Sequence, residues 1–142
     1  MNKTTTKPGF SAFDTETDCD AGYELELLDK LGNPSGLFIS LLGKNSRVAR
    51  AKARAKQNER IRKAQFEQRQ GRKAAEVTAE DLEEFGVEAL VFCTTGWRVD
   101  EAKFGPVDPY TPEAAAELYR TSRLVFEQVD QAVSDLSNFI KG

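Results

Sequence analysis

The sequence predicts a mainly helical α+β protein: a small N-terminal β-hairpin or sheet, a long basic helix, and a C-terminal bundle of about three to four helices. Three observations predict it. Tyr23-Glu24-Leu25-Glu26-Leu27 alternates apolar and acidic residues with a period of two, as a half-buried strand does. From Arg47 to Gln70 there is no Gly or Pro, and Ala, Arg, Lys and Gln, all good helix formers, dominate. Towards the C-terminus, capped segments carry apolar residues three and four apart. The chain divides into an acidic, flexible tail at 1–20, a hairpin region at 21–43, the basic helix at 44–76 and a helical domain at 77–142.

Each element has a local cause. The tail holds Phe10 and Phe13, which could lend the hairpin another strand, and ends in the acids Asp14, Glu16, Asp18 and Asp20. After the first strand, DKLGNPSG is dense in turn formers, and Leu37 to Leu42 reads as a second, more buried strand. Two strands alone are marginal, so a further strand or a helix must cover them. Asn45 or Ser46 can cap the basic helix, Gly71 can stop it, and Val48, Ala51, Ala55, Ile61 and Ala64 form its thin apolar face. Thr78 followed by Asp81 resembles a capping box, with Asp in place of the usual longer Glu or Gln, and Leu82, Phe85, Ala89, Leu90 and Cys93 are the expected core-facing positions of the next helix. Thr94-Thr95-Gly96 should close that helix, with Trp97 opening a loop through two prolines to Tyr110. Thr111-Pro112-Glu113 is a helix start with hydroxyl cap, N1 proline and first-turn acid, and Thr121-Ser122 suggests a kink or restart. The last helix carries Val125, Val129, Ala132, Val133, Leu136, Phe139 and Ile140 on one stripe.

Composition narrows the chemistry. The chain has 142 residues, 39% hydrophobic and 30% charged, and no apolar run near the roughly 18 residues of a membrane span. Met1 to Pro8 is polar and lacks the apolar centre of a secretory signal, so a cytoplasmic protein is expected. Cys19 and Cys93 share no C-x-x-C spacing, which favours unpaired thiols over a disulfide framework or zinc site. There is no histidine, the commonest general base and metal ligand, which lowers the odds of an enzyme. No catalytic residue, metal or cofactor is assigned. The spacing of Asp14 to Asp20 fits no calcium loop, because the glycine and terminal glutamate are misplaced. Cys93, on the apolar side of a helix, reads as a buried thiol.

The net charge of −3 hides a separation. Residues 44–73 hold twelve basic and two acidic residues, hence +10, and the rest carries −13. Such a patch selects acidic partners or nucleic acid, unless acids of the same chain answer it. Its candidate surface is Arg47, Arg50, Arg54, Arg60, Arg62 and Lys63. For nucleic acid the signal is electrostatic only: Phe66 is the one aromatic in the run, and no leucine zipper follows. Trp97, Phe104 and Tyr110 have two readings, an aromatic docking surface or a staple holding the loop to the core. Together with Leu118, Val125 and Val129 they are the candidate partner-binding residues.

An ordered series of segments carries a resemblance: NPSG before LFISLLGKNS, the Arg/Lys helix, EDLEEFGVEALVFC, the Thr95-Gly96-Trp97 turn, PYTPEAAAELY from Pro109, and FEQVDQAVSDLSNF ending at Phe139. In this order they resemble the tail assembly chaperones of long-tailed bacteriophages, from which the long unbroken basic helix departs. The resemblance implies a small helix-rich protein of the infected host cytoplasm that binds the tape-measure protein and the tail-tube subunit and is absent from the finished virion. A longer frameshifted form is common in that family. Self-association is compatible with this picture, and a membrane partner is not expected. The rival expectation is a nucleic-acid-binding module using the basic helix 47–73.

Overall fold

The computed structural model describes residues 8–73 and 75–140; residues 1–7 of the expected tail, residue 74, and 141–142 at the end of the helical domain lie outside the described residues. The architecture is the expected mixed α+β, with one three-stranded antiparallel sheet and several helices around a shared core.

The segment expected to be a loose tail is folded from Pro8 onward. A 3-10 stretch, Pro8–Phe13, precedes a short helix α1, Glu16–Ala21, whose Cys19 is fully buried. Asp14 accepts the Thr17 backbone N–H at 3.2 Å at the start of this helix. Phe10 and Phe13 stay exposed and form no strand.

Strand β1, Tyr23–Leu28, pairs antiparallel with β2, Pro34–Leu41, with an irregularity between Glu26 and Leu28. The loop between them is set by Asp29, whose Oδ1 accepts from the N–H groups of Leu31 and Asn33 at 2.9 and 3.0 Å. Leu27, Leu37, Ile39 and Leu41 face the core, whereas Glu24 and Phe38 belong to the other face, where Arg98 lies over the Phe38 ring and pairs with Glu24. Gln128 covers the end of the edge strand: its side-chain amide accepts from the Leu28 N–H and donates to the Leu28 carbonyl, at 2.8 and 2.9 Å, as a neighbouring strand would.

The third strand comes from a place the sequence pattern misread. Thr94–Val99 is not a helix end and a loop but strand β3, pairing antiparallel with β2 and completing the order β1-β2-β3. Thr, Trp and Val suit a pleated, half-buried surface, and the waiting edge of β2 decides the outcome. The preceding helix α3, Ala79–Cys93, stops abruptly, its last turn closed by the Thr94 hydroxyl donating to the Leu90 carbonyl at 2.7 Å.

The long helix α2, Arg47–Arg69, begins at the expected cap: Ser46 Oγ accepts from the N–H groups of Val48 and Ala49. Its inward side differs from the expected stripe. Ala49 is buried while Val48 and Ile61 are 48% and 45% exposed, because contact with the neighbouring elements runs through Ala49 and Arg60 instead. The capping box of Thr78 and Asp81 is present. In α3, Val87, Leu90 and Cys93 enter the core, but Leu82 is 62% exposed, beyond the reach of the bundle.

Helix α4, Pro112–Thr121, and helix α5, Arg123–Ser134, meet at Ser122, whose hydroxyl oxygen accepts from the Val125 N–H and restarts the helix as expected. The apolar stripe does not continue as one helix to Ile140: Asp135 caps a separate 3-10 turn, Leu136–Asn138. This turn swings Phe139 into full burial against Tyr23, ring centroids 5.8 Å apart, and leaves Ile140 exposed.

Gly43 packs on α1 so closely that an added Cβ would overlap the Cys19 Sγ. Gly43→Ala should therefore destabilise the protein by about 1–3 kcal/mol in urea unfolding. A neutral result would mean that α1 is not docked.

Candidate functional site

The acidic residues before the hairpin and the start of the basic helix are one structure. At the end of α1, Asp20 Oδ1 accepts from the Ser46 hydroxyl at 2.7 Å and from the Arg47 N–H at 2.8 Å, while the Arg47 guanidinium reaches Oδ2 at 3.2 Å. Arg47 also pairs with Asp14 at 3.5 Å, and Arg50 with Glu16 at 3.5 Å. Burial pushes the Asp20 carboxyl up, but the hydrogen bonds from Ser46 and Arg47 outweigh it and hold the group below its ordinary value. The carboxylate also sits where the helix dipole favours negative charge. Among the described residues, no group of three or more His, Cys, Asp or Glu could hold a metal ion.

Farther along, Arg60 pairs with Glu88 and lies over the Phe85 ring at 4.1 Å, tying α2 to α3. Of the six residues expected to form a basic surface, Arg47, Arg50 and Arg60 are thus engaged within the chain. Arg54, Arg62 and Lys63 are exposed and make no ion pair among the described residues.

Of the six residues expected to bind a partner, five lie in or against the core. Val129 is fully buried in the core, a position that bars it from any surface role. Leu118 and Val125 are half-buried and pack against that core. The Trp97 and Tyr110 rings meet edge to face, 5.3 Å between centroids. Trp97 Nε1 donates to the Asp108 carbonyl at 3.0 Å, and the Tyr110 hydroxyl donates to the Thr94 carbonyl at 3.2 Å. The pair is a staple holding the 100–110 loop to β3, which is the second of the two sequence readings. Phe104 alone of the three aromatics is exposed.

Large apolar side chains are left exposed at Val48, Ile61 and Phe66 on α2, Val77 before α3 and Leu82 in its first turns, as well as at Phe10, Phe13, Leu31 and Leu124 elsewhere. The sequence placed Ile61 and Leu82 inward. The signal that pointed the other way was the thinness of the α2 stripe, too sparse for a helix that buries one side.

Both thiols are buried, and burial pushes Cys93 up to about 11 and raises Cys19. They are held protonated, the reverse of what a thiolate nucleophile needs. A groove of about 330 Å³ between α3, α4 and α5 is lined by Glu83, Glu84, Tyr119, Arg120 and Phe126, and Arg120 binds Glu84 there through two hydrogen bonds of 3.0 and 2.8 Å. Tyr119, its pKa raised by burial, turns its hydroxyl to Thr94 Oγ1 at 2.7 Å. No helix among the described residues is long and apolar enough to cross a membrane. No protein-family model, curated protein or solved structure matches the chain.

Because the Asp20 pKa is depressed below an unfolded value of about 3.9, its contribution is present above that value and is lost as pH falls through the lower folded one. Asp20→Asn should cost about 1–2 kcal/mol at pH 7. The gap from wild type should close as denaturation is repeated between about pH 5 and pH 2.

Proposed function

We propose that this chain is a non-catalytic tail assembly chaperone of the kind its sequence resembles. It binds the tape-measure protein, and with it the tail-tube subunit, in the cytoplasm of the infected host, and it leaves before the virion is complete. The observation that carries this reading is the set of large exposed apolar side chains, Ile61 and Phe66 on the outer half of α2, Val77 just before α3 and Leu82 in its first turns. A tape measure is a long helical polypeptide whose apolar faces aggregate when free. A helical arm with apolar side chains among charged ones can cover such a face, helix against helix.

The rival nucleic-acid reading of 47–73 is weakened by the use of Arg47, Arg50 and Arg60 inside the molecule, which leaves a smaller cationic surface than the sequence count suggests.

Co-expression with the tape-measure gene of the same virus should raise that protein's soluble yield several-fold. Phe66→Ser combined with Leu82→Ser should remove most of that gain without lowering the melting temperature, since both side chains are exposed. An unchanged yield with the wild-type chain would contradict the chaperone reading.

A further inference from the structure

The long helix is two-sided in a way that identifies a ligand chemistry. At 3.6 residues per turn, Ala49, Lys56, Arg60 and Glu67 share one side of α2, and these are the residues of the helix that are not exposed. Arg60 on this side meets Glu88 and Phe85. The opposite side carries Arg54, Asn58, Ile61, Arg62, Gln65 and Arg69, all exposed, and no acidic residue falls among them. Glu59 and Glu67, the acids of α2, project elsewhere around the helix, and Glu59 is held by Lys56 at 3.1 Å. Arg47, first on this side, is already taken by Asp14 and Asp20.

We propose that the outward side of α2 from Arg54 to Arg69 is a docking strip for an acidic amphipathic helix of a partner protein. The three arginines recur at intervals of eight and seven residues, or about 12 and 10 Å along the axis. That spacing meets carboxylates placed once every two turns on a second helix lying alongside. Arginine is suited to this task, because its planar fork binds a carboxylate through two parallel hydrogen bonds. Ile61, 45% exposed, stands among the arginines, and Phe66, 53% exposed, stands at the border of the strip. A phosphate backbone offers these side chains nothing to bury against, whereas an amphipathic helix brings apolar side chains between its acids. The strip is therefore better matched to a polypeptide than to nucleic acid. This inference rests on the chaperone reading only for the client's identity; the surface and its ligand chemistry are independent of it.

The test uses the full chain and a fluorescein-labelled helical peptide of Glu, Leu and Ala, long enough to lie along α2, with its Lys-for-Glu counterpart as control. In fluorescence anisotropy the acidic peptide should bind, more weakly as salt rises, and the basic peptide should not. The triple variant R54E/R62E/R69E should weaken binding roughly tenfold or more and lower the melting temperature by only a few degrees, because these arginines have no ion-pair partner among the described residues and the reversed charges beside Glu59 and in the last turn of α2 cost little on an exposed surface. Ile61→Ser should weaken binding to a lesser degree. Equal binding by wild type and triple variant, or no binding by either, would overturn the proposal. So would displacement of the peptide by duplex DNA, or a self-associated wild type that the triple variant dissociates, since each assigns the strip to another occupant. If the triple variant still rescues the tape-measure protein as well as wild type does, the strip is wrong and the chaperone reading survives.

Discussion

The Ser46 hydroxyl sits fully buried where the long helix leaves the sheet, donating to Asp20 and accepting from the first N–H groups of α2. One turn on, Ala49 is buried in the core, and farther along the helix lies against α3. It is exposed along most of its length, and beyond this junction its ties to the rest of the molecule centre on Arg60 with Glu88 and Phe85. At the base of α2 one carboxylate meets a hydroxyl, a backbone N–H and a guanidinium together, and farther along the contact with α3 through Arg60 sets which side faces inward. The same carboxylate ties α1 to the start of α2, and beside it Cys19 fills the space that Gly43 leaves open.

Elements governed by neighbouring residues were legible in the sequence. The Ser46 cap, the Thr78–Asp81 box, the Thr111-Pro112 start and the restart at Ser122 each depend on hydrogen bonds spanning two or three residues, and each is present. What escaped the sequence depends on distant partners. Thr94–Val99 becomes a strand because β2 offers an open edge more than fifty positions away in the chain, visible in the pairing of Ile39 with Trp97. Glu16–Ala21 is helical in contact with Arg47 and Arg50, some thirty residues on. The charge asymmetry contained part of that answer, since acids and bases of one chain are each other's nearest counter-ions, but it could not say which would meet.

The candidate site follows the same division. The sequence grouped Trp97, Phe104 and Tyr110 around one loop, and the structure makes a staple of Trp97 and Tyr110, whose polar groups reach backbone carbonyls. Val129 misled because an apolar stripe on a helix marks the core more often than a binding face. The exposure of α2 was partly legible, because its thin apolar stripe pointed to light packing. Alanine, arginine and glutamine make α2 helical without requiring it to bury a side, so its formation and its packing are uncoupled. A helix that is stable without a dense core contact is free to present a whole side to another molecule, and charge then selects what binds there.

Hydrogen–deuterium exchange of the chain, alone and mixed with the tape-measure protein proposed as its client, tests the proposed docking side of α2 most directly. Backbone amides from Arg54 to Arg69 should exchange readily in the free protein, where the helix is exposed, and should slow markedly in the complex. Slowing confined to other elements, with α2 exchanging as before, would contradict the account.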